Sequence, residues 1–205
     1  LTSMMVMVDL LNNQDLPPEK RREFTVRISS QLKRIEWLVS SLLKMAMLDA
    51  GVIKMKREEV KVRTLIENAL KPLIIPMEIK GITCSVTGGD MVLICDLQWT
   101  TEAIINIMKN CIEHTREHDK IEVTAKDNPI YFEIRISDNG PGISKEDLPH
   151  IFTRFYRGKN ASPGSVGIGL AMAKSIIKEQ NGDITVKSRE GSGTTFFIRL
   201  YKAAI

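Results

Sequence analysis

The sequence predicts an α+β protein in two parts: an antiparallel two-helix hairpin, then an α/β sandwich with helices on one sheet face. Two observations carry this. Ile28, Leu32, Ile35, Val39, Leu42 and Ala46 recur at spacings of 4 and 3, the seam of a coiled coil or four-helix bundle. After Gly51 the pattern changes to short alternating runs mixed with helical ones, without the regular alternation of a parallel βαβ protein.

The first helix comes at the start of the chain. Leu1, Met4, Val8 and Leu11 share one helical face, and Asn12–Asp15 followed by Pro17-Pro18 ends that helix. Pro18 and Glu19 suit the first turn of a second helix, expected over 18–48. Leu38, Leu43, Met45 and Met47 widen its apolar stripe beyond what two helices can bury. Dimerisation into a four-helix bundle is the natural solution, with packing on the downstream part as the alternative. Gly51 suits the C-terminal cap. The hairpin is therefore assigned to 1–50, a basic linker to 51–58 and the second domain to 59–205.

In that second domain a short strand is expected over 59–63 and a helix over 64–74, stopped before Pro76. Strands come next at 79–86 and 91–95 around Gly88-Gly89, then a helix over 97–115. Residues 120–125 and 130–138 read as a hairpin, 145–152 as a short helix, 158–166 as a loop and 167–180 as a helix. Residues 183–188 and 194–200 form a last hairpin.

Composition bounds the function. The 205 residues allow one large domain or two small ones, and 43% hydrophobic with 26% charged residues is ordinary for a globular chain. The net charge of +4 arises from 29 basic and 25 acidic residues with no dense basic block. That speaks against nucleic acid as the partner and leaves room for a polyphosphate site. Three cysteines, Cys84, Cys95 and Cys111, lack CxxC spacing, so buried free thiols are expected rather than disulfides or zinc. No apolar run reaches the roughly 20 residues that span a bilayer. The chain opens at Leu1 inside a helix, so a longer protein is expected, with room for membrane segments upstream.

Several strings carry chemistry. On the helix over 97–115, Leu97, Ile104, Met108, Cys111 and Ile112 share one face, with Asn106, Asn110, Glu113 and His114 opposite. Asn is a poor helix former, and two of them one turn apart either sit in water or offer carbonyl oxygens to a hard cation such as Mg²⁺. Asp138-Asn139-Gly140-Pro141-Gly142-Ile143 comes directly after a strand, where it is either a plain turn or a carboxylate placed to accept a hydrogen bond beside backbone that a flat ligand can approach. Gly164–Leu170 leads into a helix, whose free N–H groups suit phosphate. It fits neither the dinucleotide fingerprint nor the P-loop. Ile151–Arg157 carries Phe152 and Phe155 as anchors and Arg154 and Arg157 for phosphate, or else a packed aromatic turn with solvated arginines. Gly191–Phe196 is a tight turn into the last strand, where Thr194 or Thr195 either bonds a base or is an ordinary strand residue.

Taken together these strings resemble the sensor histidine kinases of two-component systems, across essentially the whole chain. Asn106–Thr115 looks like the family's N box, Asp138–Gly142 its first glycine box, Ile151–Arg157 its phenylalanine box and Gly164–Leu170 its second glycine box. The resemblance implies the ATP-binding fold of the histidine kinase and gyrase superfamily. Asn110 would ligate Mg²⁺ with Asn106 in support, Asp138 would recognise the adenine amino group, and His114 would pack near adenine. Gly140, Gly142, Ile143, Ile168 and Leu170 would line the nucleotide with Thr194. Gly167 and Gly169 would border the phosphates, Arg154 would contact them, and Gly164 would join the ATP site from a lid over 158–166. The resemblance also implies a cytoplasmic kinase portion that forms homodimers and passes phosphate to a response regulator.

Leu1-Thr2-Ser3 resembles the residues just after the family's His-Glu-x-x-Thr-Pro motif, so the phosphorylated histidine is expected before Leu1. His114, His118 and His150 lie in the second domain and do not replace it. Glu113 departs from the pattern, standing where Lys or Arg is common and leaving phosphate contact there in doubt. The alternatives are a non-kinase ATPase or switch of the same superfamily, and a scaffold with a degenerate site. The superfamily's ATPases carry a Glu base where this chain has Asn106, an amide that cannot take a proton from water.

Overall fold

The computed structural model describes residues 2–12, 16–159, 161 and 165–202. They divide into two compact units, Leu1–Ala46 and Met47–Ile205. The first holds helix α1 (Thr2–Leu11) and all but the last turn of helix α2 (Pro18–Asp49). Arg21 closes their connection by donating from Nη1 to the Leu11 carbonyl at 2.8 Å. Lys20 and Arg27 flank Glu23 at 2.8 and 2.9 Å, the i,i+3 and i,i+4 spacing that supports an exposed helix. Along α2, Leu32, Ile35, Val39, Leu42 and Leu43 are exposed in the single chain. No helix among the described residues is long and apolar enough to cross a membrane.

The second unit opens on the end of α2. Gly51 takes φ of 63°, its N–H reaches the Leu48 carbonyl at 3.0 Å, and the Val52 N–H reaches Met47 at 3.3 Å. That is a Schellman end, which a residue with a side chain adopts only under strain. Strand β1 (Glu58–Lys61), helix α3 (Val62–Leu70), a 3₁₀ turn (Lys71–Leu73) and helix α4 (Ile74–Ile79) come after it. Then come β2 (Thr83–Thr87), β3 (Val92–Cys95), α5 (Leu97–His114), β4 (Lys120–Asp127) and β5 (Tyr131–Asp138). A 3₁₀ turn (Leu148–His150), α6 (Gly169–Glu179), β6 (Gly182–Ser188) and β7 (Thr194–Tyr201) complete the unit.

Five strands form a sheet in the order β2-β4-β5-β7-β6, parallel between β2 and β4 and antiparallel elsewhere. β1 and β3 pair separately and antiparallel. Helices α5 and α6 pack on each other, and α3 packs on α5. Ile104, Ile107 and Met108 of α5, Met172, Ile176 and Ile177 of α6, and Val123, Ile136, Phe196 and Ile198 of the sheet are fully buried. The opposite sheet face is polar, with Arg199 donating to Glu133 at 2.8 Å and Arg135 lying 5.0 Å from the Phe197 ring centre.

One carboxylate organises the start of this layer. Asp96 caps α5 by accepting from the Trp99 N–H at 3.0 Å, and its other oxygen takes the Lys56 N–H of the linker at 2.8 Å. Gln180, buried after α6, accepts from the Asp96 N–H at 2.6 Å. The linker, α5 and α6 thus meet at one buried polar knot.

The structure corrects several expectations. The strand expected over 79–86 runs over Thr83–Thr87, and the two strands near Gly88-Gly89 part company: β2 adds in parallel to β4, and β3 pairs antiparallel with β1. Pro76 does not stop a helix. It sits in the first turn of α4, where its missing N–H has no partner to lose. Ile79 ends that helix instead of starting a strand. Residues 145–152 hold only the 3₁₀ turn, because Asp147 and Ser144 satisfy each other in a local turn, the Asp147 N–H reaching Ser144 Oγ at 3.0 Å.

Candidate functional site

The site is built from the end of β5, the C-terminal half of α5 and the first turn of α6. Asp138 is the last residue of β5, opposite Thr194 of β7 and Ile121 of β4. Its Oδ1 accepts the Gly140 N–H at 3.0 Å. Burial pushes its carboxyl above the ordinary range, while the Gly140 and Thr194 N–H groups, the Cys111 thiol and nearby His114 pull it part of the way back. Cys111 is buried beneath it, and burial, with the adjacent carboxylate, drives its thiol well above its usual range. A carboxylate held this way has its orientation fixed, leaving acceptor capacity for a ligand's N–H.

Two glycine turns lock around it. A Cβ on Gly193, at φ of 87°, would stand 2.0 Å from the Asp138 carbonyl oxygen. Gly142, at φ of 73°, would meet the Arg189 carbonyl at 2.2 Å. Both need to be glycine for the two backbones to approach. Gly191 donates to Pro141 at 2.7 Å, and Ile143 donates to Ser188 Oγ at 2.8 Å. Ser188 spends its own proton on the Gly193 carbonyl at 2.8 Å, so Thr194 must be the donor in their 2.9 Å contact. Thr194 is buried, its hydroxyl committed to that pair and its N–H facing Asp138.

On α5 the two asparagines part company. Asn106 is buried, which corrects its assignment to the polar face. Its Nδ2 donates to the Glu102 carbonyl at 2.9 Å, and its Oδ1 faces Gly169, 3.1 Å from where a Cβ would be. The face carrying Asn106 is covered because α6 packs there, a tertiary contact that helix periodicity does not contain. Asn110, one turn on, is half-exposed, and no described residue bonds its amide. His114 is half-buried, and Glu113 turns its carboxylate to solvent.

At α6, Ile168 is fully buried, Gly169 begins the helix and Leu170 is half-buried. Gly167, at φ of 75°, accepts the Phe155 N–H at 2.8 Å, and a Cβ on it would meet the Tyr156 carbonyl at 2.3 Å. Segment 153–156 is thereby pressed against the entry to α6. Tyr156 donates to Asp147 at 2.7 Å, and Phe152 packs edge-on against Phe196. Arg154 points elsewhere and pairs with Asp49. Gly164 lies outside the described residues.

Among the described residues no group of three or more His, Cys, Asp or Glu could hold a metal ion. The metal ligand that the family resemblance implies is an amide, Asn110, which fits a metal carried largely by the oxygens of a bound phosphate chain. The sequence gives no sign that Ser188, Cys111 and Thr115 stand around Asp138 and its turns. Serine and cysteine in a strand and on an apolar helix face give no signal without the fold.

The family model described as "Histidine kinase-, DNA gyrase B-, and HSP90-like ATPase" matches residues 95–204. The chain belongs to this family. Among curated proteins it is 30% identical to the sensor histidine kinase YclK of Bacillus subtilis, over 98% of this chain and 43% of that protein. The chain thus spans less than half of that relative. The fold is that of the Acinetobacter baumannii histidine kinase AdeS, with a TM-score of 0.82 at 18% identity over 99% of this chain and 95% of AdeS. The catalytic domain of histidine kinase ThkA superposes with a TM-score of 0.63 at 27% identity, over 72% of this chain and 99% of that domain. ThkA has also been solved in complex with the response regulator protein TrrA. These relatives identify the chain as a sensor histidine kinase catalytic region, an α+β protein with a sheet-based ATPase domain.

Proposed function

We propose that this chain binds Mg-ATP in the site around Asp138 and supplies the γ-phosphoryl group to a histidine outside residues 1–205, for relay to a response-regulator aspartate. The observation that carries this is the fixed, half-buried carboxylate of Asp138. It is presented by glycine turns whose backbones pack too closely for any side chain. Such a group selects adenine by accepting from its exocyclic amino group.

Bound ATP would bring the transferable phosphoryl group, with Mg²⁺ neutralising its charge. The chain's own residues would hold and orient it. Asn110, half-exposed on α5, offers its amide oxygen to the cation. The first turn of α6 offers N–H groups that a helix start leaves without intrahelical partners, and the positive end of its dipole, to phosphate. Asn106 braces that turn against α5 through Gly169. Catalysis would then rest on positioning and charge stabilisation.

Asn106 supports transfer over hydrolysis. It is an amide, and its Nδ2 is already spent on Glu102. No side chain at that place can deprotonate water, as the ATPase alternative requires. The hairpin would dimerise through the exposed stripe of Leu32, Ile35, Val39 and Leu42. The whole protein is proposed to be a membrane-anchored sensor with this region in the cytoplasm.

The test is calorimetry of ATP with and without Mg²⁺, alongside the hydrolysis rate. The expected result is magnesium-dependent binding with hydrolysis barely above the uncatalysed background. Rapid turnover by the chain alone would favour the ATPase reading.

A further inference from the structure

Helix α5 ends beneath the site, and its last carbonyls need partners. Lys80, between α4 and β2, supplies them. Its Nζ donates to the carbonyls of Ile112 at 2.6 Å, Thr115 at 3.1 Å and Glu113 at 3.2 Å. Those three bonds use all the donors of an ammonium group. They also set a positive charge on the negative end of the helix dipole. The backbone of the same corner is tied to the loop after α5. The Lys80 carbonyl accepts the His118 N–H at 2.9 Å, and a Cβ on Gly81 would collide with the His118 ring, 2.6 Å from its Nδ1.

This cap lies beside the turn that carries Asp138. Thr115, whose carbonyl Lys80 holds, is buried, and its methyl lies 3.4 Å from the Cβ position of Gly140. Gly140 in turn donates to Asp138 Oδ1 at 3.0 Å. We infer that Lys80 is a positioning residue for base recognition, setting the end of α5 so that Thr115 and Gly140 aim the Asp138 carboxylate. This rests on the reading of the site as an ATP site. Lys80 makes no part of the expected nucleotide contacts and acts through the backbone of α5.

The experiment measures ATP and GTP affinity by calorimetry, with Tm, for the chain and for Lys80→Met, Lys80→Arg and Thr115→Ser. A loss of helix stability alone lowers Tm and leaves the ratio of the two affinities unchanged, whereas a misaimed Asp138 changes the ratio. The expected result is a preference for ATP that narrows about five-fold in Lys80→Met, the size of one charged hydrogen bond partly lost. Lys80→Arg, which keeps the cation, should recover most of it. Thr115→Ser, which removes only the contacting methyl, tests the relay should Lys80→Met not fold, and should narrow the preference as well. An unchanged ratio in both Lys80→Met and Thr115→Ser overturns the inference. A wild-type chain that binds neither nucleotide overturns the ATP reading with it.

Discussion

Arg154 donates one guanidinium nitrogen to each oxygen of Asp49, both at 2.6 Å. The pair joins the last turn of α2 to the segment that leads into the glycine-rich loop. It holds the Asp49 carboxyl below its ordinary range and raises the Arg154 guanidinium above its own. An arginine held this way must leave Asp49 before it can touch phosphate. Asp49→Asn is therefore expected to raise ATP affinity by no more than about five-fold, since the pair is exposed and screened. Calorimetry at rising salt checks it: the difference from wild type should shrink as salt is added. Equal affinities at low salt would mean that Arg154 takes no part in phosphate binding.

Gly169 separates stability from binding. Alanine is the better helix residue by up to about 1 kcal/mol, so Gly169→Ala should leave Tm unchanged or raise it. Its new methyl would press on Asn106 Oδ1, the brace between α5 and α6. ATP affinity is expected to fall by about five-fold, the size of one hydrogen bond disturbed. Thermal melts and calorimetry on the same sample read both effects.

Gly193→Ala should be far more damaging. The residue sits at φ of 87°, and the added atom would lie 2.0 Å from the Asp138 carbonyl oxygen. The turn must open, at a cost of about 2 kcal/mol or more. Denaturant unfolding should show the lost stability, and ATP binding should be lost with it because the displaced backbone carries Asp138.

The raised carboxyl of Asp138 makes a pH prediction. Burial raises its folded pKa above the unfolded value of 3.8. Its contribution to stability is therefore fully present below the unfolded value and is lost as pH rises through the folded one. At neutral pH the half-buried charge is a net cost. Asp138→Asn should raise Tm at pH 7, and the gain should shrink as pH falls below that window. Melts from pH 3 to 7 check it, and a lower Tm for the variant at pH 7 would contradict the burial argument.

The hairpin stripe predicts self-association. Leu32 and Val39 are 54% and 59% exposed in the single chain, too much apolar surface on one helix face to stay in water. Sedimentation should show a dimer, and a Leu32→Glu, Val39→Glu variant should sediment as a monomer with its ATP affinity intact.

Local signals were legible in the sequence, and signals that depend on distant segments were not. Asp138 was legible because a carboxylate before Gly-Pro-Gly at the end of an apolar run signals a strand and its turn locally. The hairpin over 120–138 and the final pair of strands were legible for the same reason. The pairing of β2 was not, because its parallel partner β4 lies more than 30 residues away in register, Thr83 opposite Lys120. Asn106 was assigned to the wrong face because only the packing of α6 buries it. Lys80 gave no signal at all, since a lysine that caps a helix through its carbonyls depends on how two distant segments meet. The strained backbone of Gly142 and Gly193 was suggested by their residue type, but the atoms they make room for were not.

The most direct test of adenine recognition by Asp138 is calorimetric titration of Mg-ATP into this chain and into its Asp138→Asn variant. Binding by the chain is expected, weakened by about ten- to hundred-fold in the variant, the size of a hydrogen bond to a charged acceptor. Equal affinity in both would mean that Asp138 does not read the base and that the nucleotide, if bound, is held elsewhere.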